Sequence, residues 1–167
     1  EKIKLKKWYS NHYIKEVCIH GHFNGNRGFG VDDYYPEIKQ AITFLRDPLE
    51  RALSLYFYSH RLIKEGRNYR AGKKFEMTND IDQFLRNFHS GIKYFFPKAI
   101  SLESIDTFVN DYFVHIGVMD HYQKSMDILA EKLDKPKVKI SHKNISNRTQ
   151  YPSEGSIRKF KENNKFE

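Results

Sequence analysis

Apolar residues in this chain fall into short blocks divided by polar and glycine-rich connections, and the spacing within each block separates strands from helices. The run "AITFLR" at 41–46 is nearly continuous in apolar content and too short for a helix, which predicts a buried strand. "KEVCIHGHF" at 15–23 has the β-branched and apolar content of a second strand, and the Gly/Asn run after it predicts a loop. "YFVHIGVM" at 112–119 also reads as a strand, and "KVKIS" at 137–141 as a weaker one. The strongest helix punctuation lies at 47–66, where Asp47 can cap, Pro48 fits the first helical position, Glu50 completes a capping box and Gly66 can end the element. Further helices are predicted at 80–88 and 101–112. The segment 120–134 predicts an amphipathic helix with Tyr122, Met126, Leu129 and Leu133 on one stripe, a second capping box from Asp120 and Gln123, and a stop at Lys135-Pro136. Residues 67–79 read as an exposed basic loop, and 144–164 as a polar loop followed by a short basic helix. Strands alternating with helices imply an α/β domain with a mainly parallel central sheet.

Composition narrows this only modestly. At 167 residues the chain suits one domain, and its 15% aromatic content can supply much of the core area. The single cysteine, Cys18, leaves no intramolecular disulfide and no multi-cysteine zinc site. No run of about eighteen apolar residues is present to span a membrane, and the basic start "EKIKLKKWYS" lacks the apolar stretch of a leader. These features favour a cytoplasmic location, with the Golgi lumen as the alternative for a trimmed chain. Asn144 and Asn147 sit in glycosylation-type triplets, a pattern common by chance. A net charge of +8 is compatible with a polyanionic partner, a phosphorylated cofactor or simply a soluble basic surface.

Candidate chemistry concentrates at the strand-to-helix junction "TFLRDPLERALS", 43–54. In open α/β sheets ligands bind beyond the carboxyl ends of strands, against the next helix N-terminus. Arg46 leaves the strand end and Arg51 lies near the first helical turn. Cations there oppose the positive end of the helix dipole at a cost of a few tenths to about 1 kcal/mol, and a bound anion would reverse that sign. Free helix N–H groups, a guanidinium fork and a hydroxyl such as Ser54 suit a phosphate. The competing reading pairs Arg46 with a carboxylate and leaves Ser54 in solvent.

The same stretch, "TFLRDPLERALSLYFY", resembles the 3′-phosphate-binding segment of sulfotransferases that use 3′-phosphoadenosine 5′-phosphosulfate (PAPS), with Arg46 and Ser54 matching its Arg and Ser eight positions apart. "HGHF" before it resembles the histidine segment of the carbohydrate 2-O-sulfotransferases of heparan sulfate type, and "YFVHIGVMDHYQKSMDILAEKL" and "SHKNISNRTQYPS" resemble that family's later strand, helix and cofactor-side loop. The likeness runs from about residue 17 to 160, and only "HGH" and "RDPxERxxS" are specific within it. It implies a P-loop-like sulfotransferase fold in a single domain over 1–167, PAPS as sulfuryl donor without a metal, and a carbohydrate acceptor. An acidic glycan fits the basic surface; no nucleic-acid partner is implied and the oligomeric state is open. Arg46 and Ser54 would bind the cofactor, with Ser141, Ser146 and Arg148 as further candidates, although Thr149 stands where related enzymes carry Lys.

A strand would project His20 and His22 to one face, an arrangement that serves metal ligation, proton transfer or plain structure equally well. A metal would need third and fourth ligands; Asp32, Asp33 and His12 are available, but no motif joins them. The family likeness makes His22 the expected general base toward the sugar hydroxyl, with His20 assisting. The family also uses a second phosphate loop, of the form P-K-[ST]-G-[ST], after its first strand. None precedes His20, and "GNRGFG" at 25–30 is no substitute, so the chain is expected to be N-terminally incomplete, lacking that strand and loop and transferring sulfate poorly as it stands. The alternatives are a metal-dependent hydrolase built on the His-x-His pair and a polyanion-binding module without chemistry.

Overall fold

The computed structural model describes residues 19–38, 40–66, 78–96, 101–141 and 148–165. In chain order these form a short helix α1 (Val31–Tyr34), strand β1 (Ala41–Leu45), helices α2 (Pro48–Lys64), α3 (Ile81–Asn87) and α4 (Ile105–Tyr112), strand β2 (Phe113–Val118), and helices α5 (Tyr122–Lys132) and α6 (Glu154–Asn163). The architecture is mixed α/β, with a two-stranded sheet flanked by helices in which β1 and β2 run parallel.

The sheet is held by one close fit and one guarded edge. Phe44 pairs in register with Gly117, and a Cβ on that glycine would sit 2.3 Å from the Phe44 ring, so only glycine lets the ring lie against β2. Tyr122 meets the same ring edge-on at 5.2 Å and buried His115 lies 5.9 Å from it. Helix α5 supplies polar groups to the β2 backbone: Lys132 Nζ donates to the Val114 carbonyl at 2.8 Å. Ser125 Oγ accepts from the Val118 N–H at 2.9 Å and returns a bond to its carbonyl at 3.2 Å. Side chains thus take backbone groups that a further strand would otherwise pair.

The dry core lies instead among helices. Ala52, Leu53, Tyr56 and Phe57 of α2 pack with Ile81, Phe84 and Leu85 of α3, Phe88, and Phe160 of α6. Asp80 caps α3 by accepting from the Asp82 and Gln83 N–H groups at 2.8 and 3.2 Å, and Ser153 caps α6. Gly66, at φ 69°, takes the left-handed turn that closes α2. The late segment is stitched back onto this core by several hydrogen bonds. Gln150 donates to the Tyr56 hydroxyl at 2.7 Å, the Ser153 N–H donates to Asp82 at 2.8 Å, and the Ser90 N–H donates to Asn164 at 2.9 Å.

Several expected elements form differently. Of the strand expected at 15–23, residues 15–18 lie outside the described residues; 19–23, which include Gly21, carry no strand and no described strand pairs with them. Helix α5 begins at Tyr122 after a 3-10 turn over Met119–His121, with no side-chain cap, so the Asp120/Gln123 capping box does not form. Gln123 instead donates to the Val138 carbonyl at 3.0 Å and accepts from the Ile140 N–H at 2.8 Å, tethering 138–140 as irregular chain rather than a strand. Helix α4 begins at Ile105, four residues later than expected, because Ser101 and Ser104 bond to each other in a preceding turn. Leu133, expected on the α5 stripe, lies just past the helix and is exposed.

Candidate functional site

β1 ends at Leu45, and Arg46 and Asp47 turn the chain into α2. The Asp47 carboxylate accepts from the Glu50 N–H at 2.9 Å and Pro48 occupies the first helical turn, so half of the expected capping box is present. The other half is absent because the Glu50 carboxylate is engaged elsewhere. Arg148, from the far end of the chain, grips it with both terminal nitrogens, Nη1 to Oε1 at 3.0 Å and Nη2 to Oε2 at 2.5 Å. Arg46 approaches the same carboxylate, Nη2 to Oε2 at 3.5 Å. The result is a carboxylate between two guanidinium groups at the start of α2. The hydrogen bond from Arg148 is the main reason the Glu50 carboxyl titrates below the usual range; burial opposes it, and the charges of Arg148 and Arg46 add to it. The same bond raises Arg148 in turn.

The pairing does not exhaust Arg46. Its Nε is buried and has no hydrogen-bond partner, a costly arrangement for a charged donor unless something else accepts from it. Ser54 is half-buried on α2, eight residues after Arg46 and four after Glu50. Residues four apart share a helix face, and at 1.5 Å rise per residue Ser54 lies roughly 6 Å along the axis from Glu50. Arg46, Glu50 and Ser54 therefore follow one another along one side of the junction. Arg51 turns elsewhere: its Nη1 donates to the Ser90 carbonyl and its guanidinium lies 5.6 Å from the Phe95 ring centre.

His20 and His22 are exposed, with ring centres 6.0 Å apart and planes at 70°. They remain neighbours without the expected strand. A tight loop follows, closed by the Asn24 N–H to the Phe29 carbonyl at 2.8 Å, with Gly28 at φ 78°. Its 3-10 turn, Gly25–Arg27, packs against a second one, Ile92–Phe95, and Phe95 lies beneath Arg51. The histidine loop thus reaches the start of α2 through one intervening turn. Of the late-loop candidates, Arg148 joins the Arg46 cluster. Ser141 is exposed at the end of the Gln123-tethered segment and bonds to neither arginine, and Ser146 lies outside the described residues. Among the described residues no group of three or more His, Cys, Asp or Glu side chains comes together to hold a metal ion. No described helix is long and apolar enough to cross a membrane.

The competing expectation that Arg46 pairs with a carboxylate is met; what sequence reasoning missed is that the carboxylate is Glu50, assigned there to a cap. Its i, i+4 spacing from Arg46 was the available signal; its link to Arg148 spans 98 residues and left no local trace. No family model, curated protein or solved structure matches this chain.

Proposed function

We propose that the chain carries a PAPS-dependent sulfotransferase domain of P-loop-like architecture, which transfers a sulfuryl group to a hydroxyl of a carbohydrate acceptor. The observation that carries this reading is the buried, unpartnered Nε of Arg46 at the carboxyl end of a parallel strand, where a capped helix begins and Arg148 arrives from the late loop. Oriented cationic donors are what a phosphate monoester requires, and here the two guanidinium groups supply them, since Pro48 has no N–H and the Glu50 and Arg51 N–H groups are taken by Asp47. Arg46 would hold the 3′-phosphate from the strand end, Ser54 would donate from the same side of α2, and Arg148 would add a second guanidinium.

PAPS supplies an activated sulfuryl group. The acceptor oxygen forms a bond to sulfur while the bond from sulfur to the 5′-phosphate oxygen breaks, and the hydroxyl proton must leave with that exchange. His22, exposed beside His20, can take it as general base, a role an imidazole fills near neutral pH. The 6.0 Å separation of the rings lets His20 orient the acceptor or share its proton through water.

Binding tests the first half of this reading and turnover the second. The chain should bind adenosine 3′,5′-bisphosphate in preference to adenosine 5′-monophosphate, which lacks the 3′-phosphate. His22→Ala should abolish transfer of labelled sulfate from PAPS to a glycan while leaving bisphosphate affinity unchanged. Equal affinity for the two nucleotides, or steeply salt-dependent binding to any polyanion with no response to the bisphosphate, would point to a polyanion-binding module instead.

A further inference from the structure

We infer that Glu50 is a positioning residue of the phosphate site, holding the Arg148 guanidinium beside the strand-end Arg46 so that both cations face one anion. The inference rests on the phosphate-binding reading of this cluster and adds to it the residue that assembles it. Two guanidinium groups repel each other, and nothing in the local sequence of either would bring them together across the fold. The Glu50 carboxylate removes that repulsion by bonding Arg148 at both terminal nitrogens and pairing with Arg46 at 3.5 Å. It does so without using up their donors. A guanidinium has five N–H groups, and the fork on Glu50 occupies two of those on Arg148. Arg46 keeps its buried Nε free. The cluster of two arginines and one carboxylate retains a net positive charge for a phosphate, and Ser54 follows Glu50 on the same helix face.

Two features separate this role from simple fastening of the late loop. That loop is also tied by Gln150 to Tyr56, by Ser153 to Asp82 and by the packing of Phe160, so the Glu50 fork is one fastening among several. The other local task open to Glu50, closing the helix capping box, is left undone while its side chain turns to the arginines.

The test is equilibrium binding of adenosine 3′,5′-bisphosphate and adenosine 5′-monophosphate to the unaltered chain, Glu50→Gln, Glu50→Asp, Arg148→Ala and the Glu50→Gln/Arg148→Ala pair. Glu50→Gln keeps the shape and loses the charged fork, so bisphosphate affinity should fall about tenfold, the scale of a charge-assisted hydrogen bond. Monophosphate affinity should not change. Glu50→Asp should recover part of the loss, and the paired variant should bind no more weakly than Arg148→Ala alone. Unchanged bisphosphate binding in Glu50→Gln, or additive losses in the pair, would overturn the positioning role. Tighter binding would overturn it too, by showing that Glu50 competes with the phosphate. Lack of any preference for the bisphosphate in the unaltered chain would instead defeat the phosphate reading itself, and the role of Glu50 with it. Should Glu50→Gln fail to fold, Glu50→Asp carries the test, since a shortened carboxylate in a merely structural pair would leave nucleotide selectivity unmoved.

Discussion

The helical cluster and the strand pair bury their side chains to very different degrees. In α2, α3 and α6 the rings of Tyr56, Phe84 and Phe160 are each 1% exposed, and Phe84 and Phe88 stack at 5.4 Å. In the sheet, Ile42 is 41% exposed and Val118 is 44% exposed, and only His115 and Gly117 are buried. The molecule therefore keeps its dry core in helices, while its proposed phosphate site lies where β1 hands over to α2. A site at such a seam has one wall set in the dry core, the pillar of α2, and one that is partly open to solvent. That suits a cluster in which a distant arginine must be held by a carboxylate.

The largest expected effect comes from breaking the dry core. Phe84→Ala empties a position packed between Tyr56 and Phe88 and should cost about 3–5 kcal/mol in chemical denaturation, melting the whole domain. A loss below about 1 kcal/mol would mean that the helical cluster is not the core. The strand pair should respond more locally. Gly117→Val forces a side chain into the Phe44 ring, an overpacking worth about 1–3 kcal/mol. Hydrogen exchange should quicken in β1 and β2 while α3 stays protected; uniform loss of protection would show that the two regions are one cooperative unit.

Acid sharpens the same contrast with smaller effects. Burial lowers the His115 pKa below its usual range, the Lys132 charge contributes, and a contact with the Ser125 backbone opposes. The folded state thus resists protonation, so its contribution is whole above the unfolded value and is lost as pH falls below roughly 6.5. Glu50 and Asp82 also have lowered values, Glu50 chiefly through Arg148 and Asp82 chiefly through the Ser153 N–H. Their contributions are complete above the ordinary carboxylate range and fade as pH drops through the lowered values. His115→Gln should flatten stability against pH near 6, and Glu50→Gln should flatten only the limb below about 4. The Glu50 effect is modest, because Glu50 is about a third exposed to screening solvent. Identical curves for all three proteins would remove both assignments.

The elements legible in the sequence were those with local chemistry. The Asp47-Pro48 start and Gly66 stop marked α2, the segment 80–88 held α3, and "AITFLR" announced β1, although no residue of that strand is fully buried as expected. What failed depended on partners elsewhere. "KVKIS" has strand composition but meets the Gln123 side chain instead of a neighbouring strand, and no described strand pairs with residues 19–23. The location of the core was equally hidden, since apolar periodicity marks a buried face without saying what covers it. At the site, Arg46 and Ser54 were visible through their spacing. The carboxylate that unites Arg46 with Arg148 was not, because one residue type, Glu at the third helical position, serves both a cap and an ion pair.

Everything proposed for the β1–α2 junction turns on whether Arg46 anchors a phosphate. Thermal unfolding with adenosine 3′,5′-bisphosphate at about 100 times its dissociation constant, on the unaltered chain and on Arg46→Ala, tests it most directly. Ligand binding at that level adds about 2.7 kcal/mol, a rise of roughly 5–10 °C for a domain of this size, and the rise should vanish in the variant. No rise in the unaltered chain, or an equal rise in Arg46→Ala, would contradict the account.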